Sequence, residues 1–216
     1  MKKIIAFILC SVIAVSLFAG CSGKDKPGDE SGEKYKTEDI VTQDGFSYVI
    51  GEDGNATIVK YDVHDMQEKL EIPDKLGGAP VTVIGKEAFA GNKKISEVKF
   101  PAMLETIEDG AFKESDIHIA LMVYSSRLKT IGADAFSFCT NLVQIDVPKS
   151  VESYGERCFG NCPKLRVVTI RGDVSLSAAI FENSTKTFVL WTNKANAKTV
   201  KFAKDNGYEV KTGDNL

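Results

Sequence analysis

The chain has 216 residues, of which 43% are hydrophobic and 26% are charged, and its formal net charge is −3. This composition is typical of one globular domain of moderate size. The charge balance gives no basic surplus that would favour nucleic acid or an anionic membrane surface, so we expect no nucleic-acid partner.

The first twenty residues have the layout of an export signal. Lys2 and Lys3 precede an almost unbroken apolar stretch at residues 4–18. At about 15 residues this stretch is shorter than the roughly 20 that a membrane-spanning helix needs, which indicates a signal peptide at residues 1–20.

The stretch LFAGCSGK (17–24) resembles the lipobox of bacterial lipoproteins. The resemblance implies cleavage between Gly20 and Cys21, a diacylglycerol on Cys21, and a protein that is lipid-anchored in the cell membrane and faces outwards. Phe18 departs from the pattern, which most often has leucine there. An ordinary secretory signal with a chance cysteine is the alternative. Residues 21–44 are rich in Gly, Ser, Pro and charge, a composition that indicates a disordered tether.

A phrase of about a dozen residues recurs further along the chain. Its copies are VIGKEAFAGNKKI, TIEDGAFKESDI, TIGADAFSFCTNL and SYGERCFGNCPKL, followed by a degenerate AAIFENS. A second phrase of alternating apolar residues, as in KLEIP, EVKFP and QIDVP, lies between the copies. The aligned phenylalanines are Phe89, Phe112, Phe136, Phe159 and Phe181.

The two phrases together describe one turn of a solenoid. Each repeat supplies a short strand, apolar inwards and polar outwards, that ends where proline removes a hydrogen-bond donor. Stacked at about 4.8 Å per strand, the repeats would form internal columns of phenylalanine and of isoleucine. The isoleucine column would hold Ile84, Ile107, Ile131 and Tyr154. The sequence therefore predicts a repeat solenoid, mainly β with irregular or short helical convex segments.

The number and placement of the cysteines indicate whether disulfide bonds are expected. Cleavage after Gly20 would leave Cys139, Cys158 and Cys162 in the folded part. An odd and sparse count in an exported protein does not indicate a disulfide framework. Cys139 and Cys162 take equivalent places in adjacent repeats, so a bridge between these two stays open.

The stretch IPDKLGGAPVTVIGKEAFAGNKKISEVKFP and the repeats after it resemble the BspA-type (Treponema-type) leucine-rich repeat, with its IG-x-x-AF-x-x-C-x-x-L pattern. The resemblance implies about 23 residues per coil and about five coils here, an N-terminal β-hairpin cap and a C-terminal helix-strand cap. We expect a signal peptide at 1–20, a lipidated tether at 21–44, the hairpin cap at 45–66, the solenoid at 67–187, and the cap and tail at 188–216.

The same resemblance implies a cell-surface protein that mediates adhesion or binds an extracellular protein ligand. Aligning the strand phrases predicts two columns of outward-facing side chains on a concave sheet. The first is Lys69, Glu97, Leu121, Gln144 and Val167, and the second is Glu71, Lys99, Val123, Asp146 and Thr169. Leu121, Val123 and Val167 are apolar where the pattern expects polar side chains, which is typical of a protein-binding patch. The alternative is that the irregular third repeat lies out of register and buries these residues.

We accordingly predict a partner-binding site on that sheet. It comprises Glu97, Lys99, Leu121, Val123, Gln144, Asp146, Val167 and Thr169. Capture of a glycan or small ligand, or a purely structural role in the envelope, stays open. The chain has one tryptophan, Trp191, which favours a protein ligand because sugar sites favour stacked aromatic side chains.

The sequence gives no indication of an enzyme. His64 and His118 lie in unrelated contexts, and Cys158 with Cys162 lacks the second ligand pair that a zinc site needs. We therefore expect no catalytic residues, no metal and no cofactor, and we expect the protein to be a monomer.

Overall fold

The structure, a computed structural model, describes residues 35–62 and 68–214. The predicted signal peptide, the cleavage site and Cys21 lie outside the described residues. The first strands are β1 (Val41–Gln43), β2 (Phe46–Ile50), β3 (Ala56–Tyr61), β4 (Lys69–Glu71), β5 (Lys75–Leu76), β6 (Ala79–Ile84), β7 (Glu97–Lys99) and β8 (Thr106–Ile107). The later ones are β9 (Ile119–Leu121), β10 (Thr130–Ile131), β11 (Gln144–Val147), β12 (Ser153–Tyr154), β13 (Val167–Ile170), β14 (Val189–Asn193) and β15 (Glu209–Gly213). Helix α1 spans Ala197–Asp205, and short 3-10 helices span Thr37–Asp39 and Ala178–Phe181.

The strands form two sheets whose inward side chains belong to one hydrophobic core. The long sheet has seven parallel strands in the order β4-β7-β9-β11-β13-β14-β15. The second sheet has the order β1-β2-β3-β6-β8-β10-β12, with β5 paired to β6. Its short strands β8, β10 and β12 are two Thr-Ile pairs and one Ser-Tyr pair, which lie at the same point of successive coils and therefore pair with one another. The predicted fold class, a mainly β repeat solenoid, is confirmed.

The predicted phenylalanine column runs through the core. The rings of Phe89, Phe112, Phe136, Phe159 and Phe181 stack in that order, with successive centroids 4.8, 5.1, 5.6 and 5.9 Å apart. The isoleucine column is also confirmed, because β6, β8, β10 and β12 pair Ile84, Ile107, Ile131 and Tyr154 in register. Stacking of successive coils thus buries side chains that no single coil could bury.

The Ala-Phe phrase forms a turn whose backbone is hydrogen-bonded from coil to coil. The Phe112 N–H donates to the Ala135 carbonyl, and the Phe136 N–H donates to the Cys158 carbonyl, each at 2.8 Å. Two positions of this turn, two residues before and two after the phenylalanine, have a positive φ, as at Asp134 (53°) and Asn161 (55°). The residues at these positions are often Gly, Asn or Asp because these residues adopt that conformation at least cost.

A column of small polar side chains follows the phenylalanines by three residues. The Cys139 Sγ donates to the Phe112 carbonyl at 3.1 Å, and the Ser184 Oγ donates to the Phe159 carbonyl at 2.7 Å. Cys162 lies between them and is also fully buried. This column explains the position of the cysteines: a thiol or hydroxyl here caps a carbonyl of the preceding coil.

Both ends of the solenoid are capped, and the N-terminal cap begins earlier than predicted. Residues 35–44 were expected in the tether, but β1 pairs antiparallel with β2, so the cap has three strands. At the other end α1 precedes β15, which continues the long sheet beside β14. The buried rings of Phe188, Phe202 and Tyr208 close the core there.

Candidate interaction surface

The residues on either side of the central inward residue in each strand of the long sheet point away from the core, and we call them the outer face. In register they form two rows across the seven strands. The first row is Lys69, Glu97, Ile119, Gln144, Val167, Val189 and Glu209, and the second is Glu71, Lys99, Leu121, Asp146, Thr169, Trp191 and Lys211. This face corresponds to the predicted concave sheet.

The register of the third coil differs from the prediction. Leu121 pairs with Lys99 and Asp146, so it belongs to the second row, and Ile119 takes its predicted place in the first. Val123 lies beyond the end of β9 and belongs to neither row. The reason is that Ala120 takes the central inward position, paired with Val98 and Ile145 and fully buried, which sets the strand two residues earlier. Leu121 and Val123 are nevertheless partly exposed, as expected.

Charged side chains occupy the two ends of the outer face and are paired within it. Lys69 lies 3.1 Å from Glu97, and Lys99 donates to Glu71 across β4 and β7. This contact with the Glu71 carboxylate raises the pKa of Lys99. At the far end, Glu209 and Lys211 lie 3.6 Å apart on β15. These pairs leave little net charge at either end of the face.

Asp146, near the middle, is held by an arginine. Arg171 binds it through two parallel hydrogen bonds of 2.8 Å, which leaves Asp146 only 8% exposed. The carboxylate raises the pKa of Arg171. Thr169 beside it is 7% exposed. Asp146 and Thr169, both predicted site residues, are therefore nearly inaccessible to a partner.

The apolar part of the outer face lies between its charged ends. Ile119 and Leu121 on β9 are partly exposed, and Tyr124 just after them is 71% exposed. Val167, Val189 and Trp191 are partly exposed on β13 and β14. The contribution of β14 was not predicted, although the alternation in VLWTN would have indicated it.

A shallow depression of about 530 Å³ opens at the N-terminal ends of β11, β13 and β14. It is lined by Val143, Pro163, Lys164, Leu165, Arg166, Thr187 and Val189. Since Val189 also belongs to the outer face, the two surfaces are continuous. We call the depression and its rim the basic lip, because Lys164 and Arg166 are exposed beside it.

The thiols offer no evident reactive site. Cys139, Cys158 and Cys162 are free and buried, so the bridge left open between Cys139 and Cys162 is absent from the described residues. Burial raises the pKa of the Cys139 thiol to about 11 and raises the pKa of the other two as well. Within residues 35–62 and 68–214 no cluster of His, Cys, Asp and Glu could hold a metal ion, and no helix is long and apolar enough to cross a membrane.

Comparison with known proteins identifies the family. The sequence model of the BspA type leucine rich repeat region matches residues 64–187 in six copies. The chain belongs to the BspA-type leucine-rich repeat family. Solenoids of this family are typically non-enzymatic. No curated protein sequence matches the chain.

Solved structures of bacterial leucine-rich repeat proteins share the fold. A leucine rich cell surface protein from Faecalibacterium prausnitzii is 23% identical with a TM-score of 0.57, over 71% of this chain and 45% of its own. The pneumococcal vaccine antigen PcpA is 15% identical with a TM-score of 0.55, over 82% and 48%. A T. pallidum leucine rich repeat protein is 20% identical with a TM-score of 0.49, over 79% and 97%. The chain thus spans less than half the length of the first two.

Proposed function

We propose that this chain is a lipid-anchored protein of the bacterial cell surface that binds a protein partner through its outer face. The observation that carries the proposal is the exposed apolar group of Ile119, Leu121, Val189 and Trp191 on a sheet whose charges are paired internally. Apolar and aromatic anchors surrounded by polar groups are typical of protein interfaces.

The anchor and location rest on separate support. The lipobox-like stretch ending at Cys21 would hold the N-terminus at the membrane, with residues 22–34 as the link to the folded part. A similar fold occurs in a protein described as a leucine rich cell surface protein, which agrees with an exported chain. We therefore place the interaction surface outside the cell.

Glycan capture is a second candidate: a single tryptophan in the sequence favours a protein ligand, but the position of Trp191 on the outer face suits a sugar. The ring lies in the second row beside Thr169 and Lys211, with the Lys211 ammonium 5.6 Å from the ring centroid. An indole ring among polar groups suits stacking against a sugar. We rank it below protein binding because the apolar residues of the two rows other than Trp191 are aliphatic.

The test compares the full chain with two variants that carry the same kind of change in different places. Leu121→Glu puts a charge in the apolar part of the outer face, and Ile50→Glu does so at a 50% exposed residue of the cap. Binding to a panel of extracellular-matrix proteins, cell-surface proteins and glycans is measured by biolayer interferometry, after circular dichroism shows both variants folded. Selective binding to a protein that only Leu121→Glu abolishes supports the proposal. Binding confined to glycans, or equal in all three chains, would refute it, and no binding at all would favour a structural role in the envelope.

A further inference from the structure

The positive charges of the long sheet are distributed in two different ways. On the outer face each lysine, and the nearby Arg171, faces a carboxylate: Lys69 with Glu97, Lys99 with Glu71, Arg171 with Asp146, and Lys211 with Glu209. On the basic lip the cations have no carboxylate partner of this kind. Within the described residues, no carboxylate lies within ion-pair distance of Lys164, Arg166 or Lys186.

Lys164 and Arg166 line the depression, and the repeat places a third cation, Lys186, beside them, which we include in the basic lip. The pairing of Val167 with Val189 sets the register between β13 and β14, and it puts Lys186 at the position equivalent to Lys164, one strand along. Arg166 immediately precedes β13 and also lines the depression. All three side chains are exposed. The Lys164 ammonium donates to the Asn141 Oδ1 at 2.5 Å, and the Asn141 amide in turn donates to the Asp116 carboxylate, so one amide separates Lys164 from that carboxylate.

Part of the floor of the depression is apolar. Val143, Leu165 and Val189 line the depression, and Val189 joins it to Trp191 on the same strand. Glu209, which pairs with Val189 across the sheet, faces Lys211. The lip therefore combines a partly apolar depression of about 530 Å³ with three positive charges that have no direct carboxylate partner in the described part of the chain, whose net charge over its full length is −3.

We propose that the basic lip binds an acidic segment of a protein partner, with an aliphatic or aromatic side chain of that segment in the depression and flanking carboxylates facing Lys164, Arg166 and Lys186. This proposal rests on the proposed function and specifies the chemistry of the partner. Guanidinium and ammonium groups at a rim attract and orient carboxylates, while the apolar part of the floor supplies the anchor. Because the charged side chains of the rest of the outer face pair with one another, selection of a partner by its charge is concentrated at the lip.

The test uses the full chain, produced in a bacterial host and purified in mild detergent through a C-terminal tag. A random dodecapeptide library displayed on phage is selected against it, and the enriched peptides are synthesised and measured by fluorescence anisotropy. Two triple variants with the same loss of charge are compared. One is Lys164→Gln, Arg166→Gln and Lys186→Gln on the lip, and the control is Lys75→Gln, Lys86→Gln and Lys204→Gln at exposed lysines elsewhere.

We expect the enriched peptides to carry Asp or Glu on both sides of an apolar residue. The lip variant should weaken their binding about tenfold or more, and 0.5 M salt should weaken binding to the unaltered chain similarly, since exposed charge pairs are screened. The control variant should bind within about twofold of the unaltered chain, because its three lysines lie away from the lip.

Three results would overturn the inference. Peptides without acidic residues, lost in Leu121→Glu but not in the lip variant, would leave the proposed function standing and remove the role of the lip. Heparin binding that depends on the lip, without enrichment of acidic peptides, would assign the surface to a polyanionic glycan. Enrichment of no peptide that depends on either surface would contradict both proposals.

Discussion

Phe112 and Phe136 stack almost parallel, with ring centroids 5.1 Å apart and 7° between their planes. Phe100 contacts both rings edge-on, at 5.6 and 6.4 Å. Rings from three places in the chain therefore meet at one point of the core. Because each coil contacts only its neighbours, a defect here interrupts the column in the middle of the solenoid rather than at one end.

Phe136→Ala is therefore expected to lower the free energy of unfolding by about 3–5 kcal/mol, because it removes a fully buried ring and leaves a cavity. Urea unfolding followed by circular dichroism measures the change. Phe138→Ala is the matched control, since that ring lies two residues further on and is 44% exposed. Its expected effect is below about 1 kcal/mol. Equal losses in the two variants would show that the stacked column is not the main source of stability.

The column of small polar side chains that contains Cys139 leads to a second prediction, about which buried positions accept a hydroxyl group. Cys139→Ser should change the free energy of unfolding by less than about 1.5 kcal/mol, because Ser115 and Ser184 already fill the equivalent places and Ser184 donates to the matching carbonyl. Leu142→Ser, three residues later, should cost about 3 kcal/mol or more, because it loses a buried side chain and adds a hydroxyl to an apolar column. Urea midpoints for the two variants should differ clearly, and similar midpoints would contradict the assignment of the column.

The buried thiols predict how stability responds to alkaline pH. Burial raises the pKa of Cys139 from 9.0 to about 11 in the folded chain, and it raises the pKa of Cys158 and Cys162 in the same direction. The unfolded chain therefore loses thiol protons first, so the stability contributed by the neutral thiols is complete below pH 9 and is lost as the pH rises through about 11.

The measurement compares the unaltered chain with a variant carrying Cys139→Ser, Cys158→Ala and Cys162→Ser, between pH 8 and 11. Alanine suits the second position because Ala111 and Ala135 fill it in other coils. The fall in unfolding free energy with pH should be steeper for the unaltered chain. Parallel pH profiles would mean that the thiols titrate alike in the folded and unfolded states.

The sequence was sufficient for features that repeat and insufficient for those that do not. Both buried columns, including Tyr154, follow from spacing alone. The register of β9 does not, because Ile119 and Leu121 are apolar like the inward residues Ala120 and Met122, so alternation gives no preference between the faces. The basic lip was also missed, since Lys164 and Lys186 become neighbours only when two coils are paired. The signal that could have found it is the repeat spacing applied to charged residues.

Tyr154 lies in the isoleucine column but differs from it in side-chain chemistry, and it leads to the last prediction. It takes the place of an isoleucine, and its hydroxyl is buried without a hydrogen-bond partner in the described structure. Burial also raises the pKa of this hydroxyl. An unsatisfied buried hydroxyl costs roughly 1–3 kcal/mol, so Tyr154→Phe, which keeps the ring and removes the oxygen, should stabilise the chain by about 1 kcal/mol.

Tyr154→Ile is the control, because it restores the residue of the column but removes the volume of the ring. We expect this variant to be less stable than Tyr154→Phe, since the coils around position 154 are packed against a ring and would leave a cavity. Thermal unfolding at pH 7 compares the three chains. A midpoint for Tyr154→Phe below that of the unaltered chain would show that the hydroxyl finds a partner in solution, and that Tyr154 is held in the core by a hydrogen bond as well as by packing.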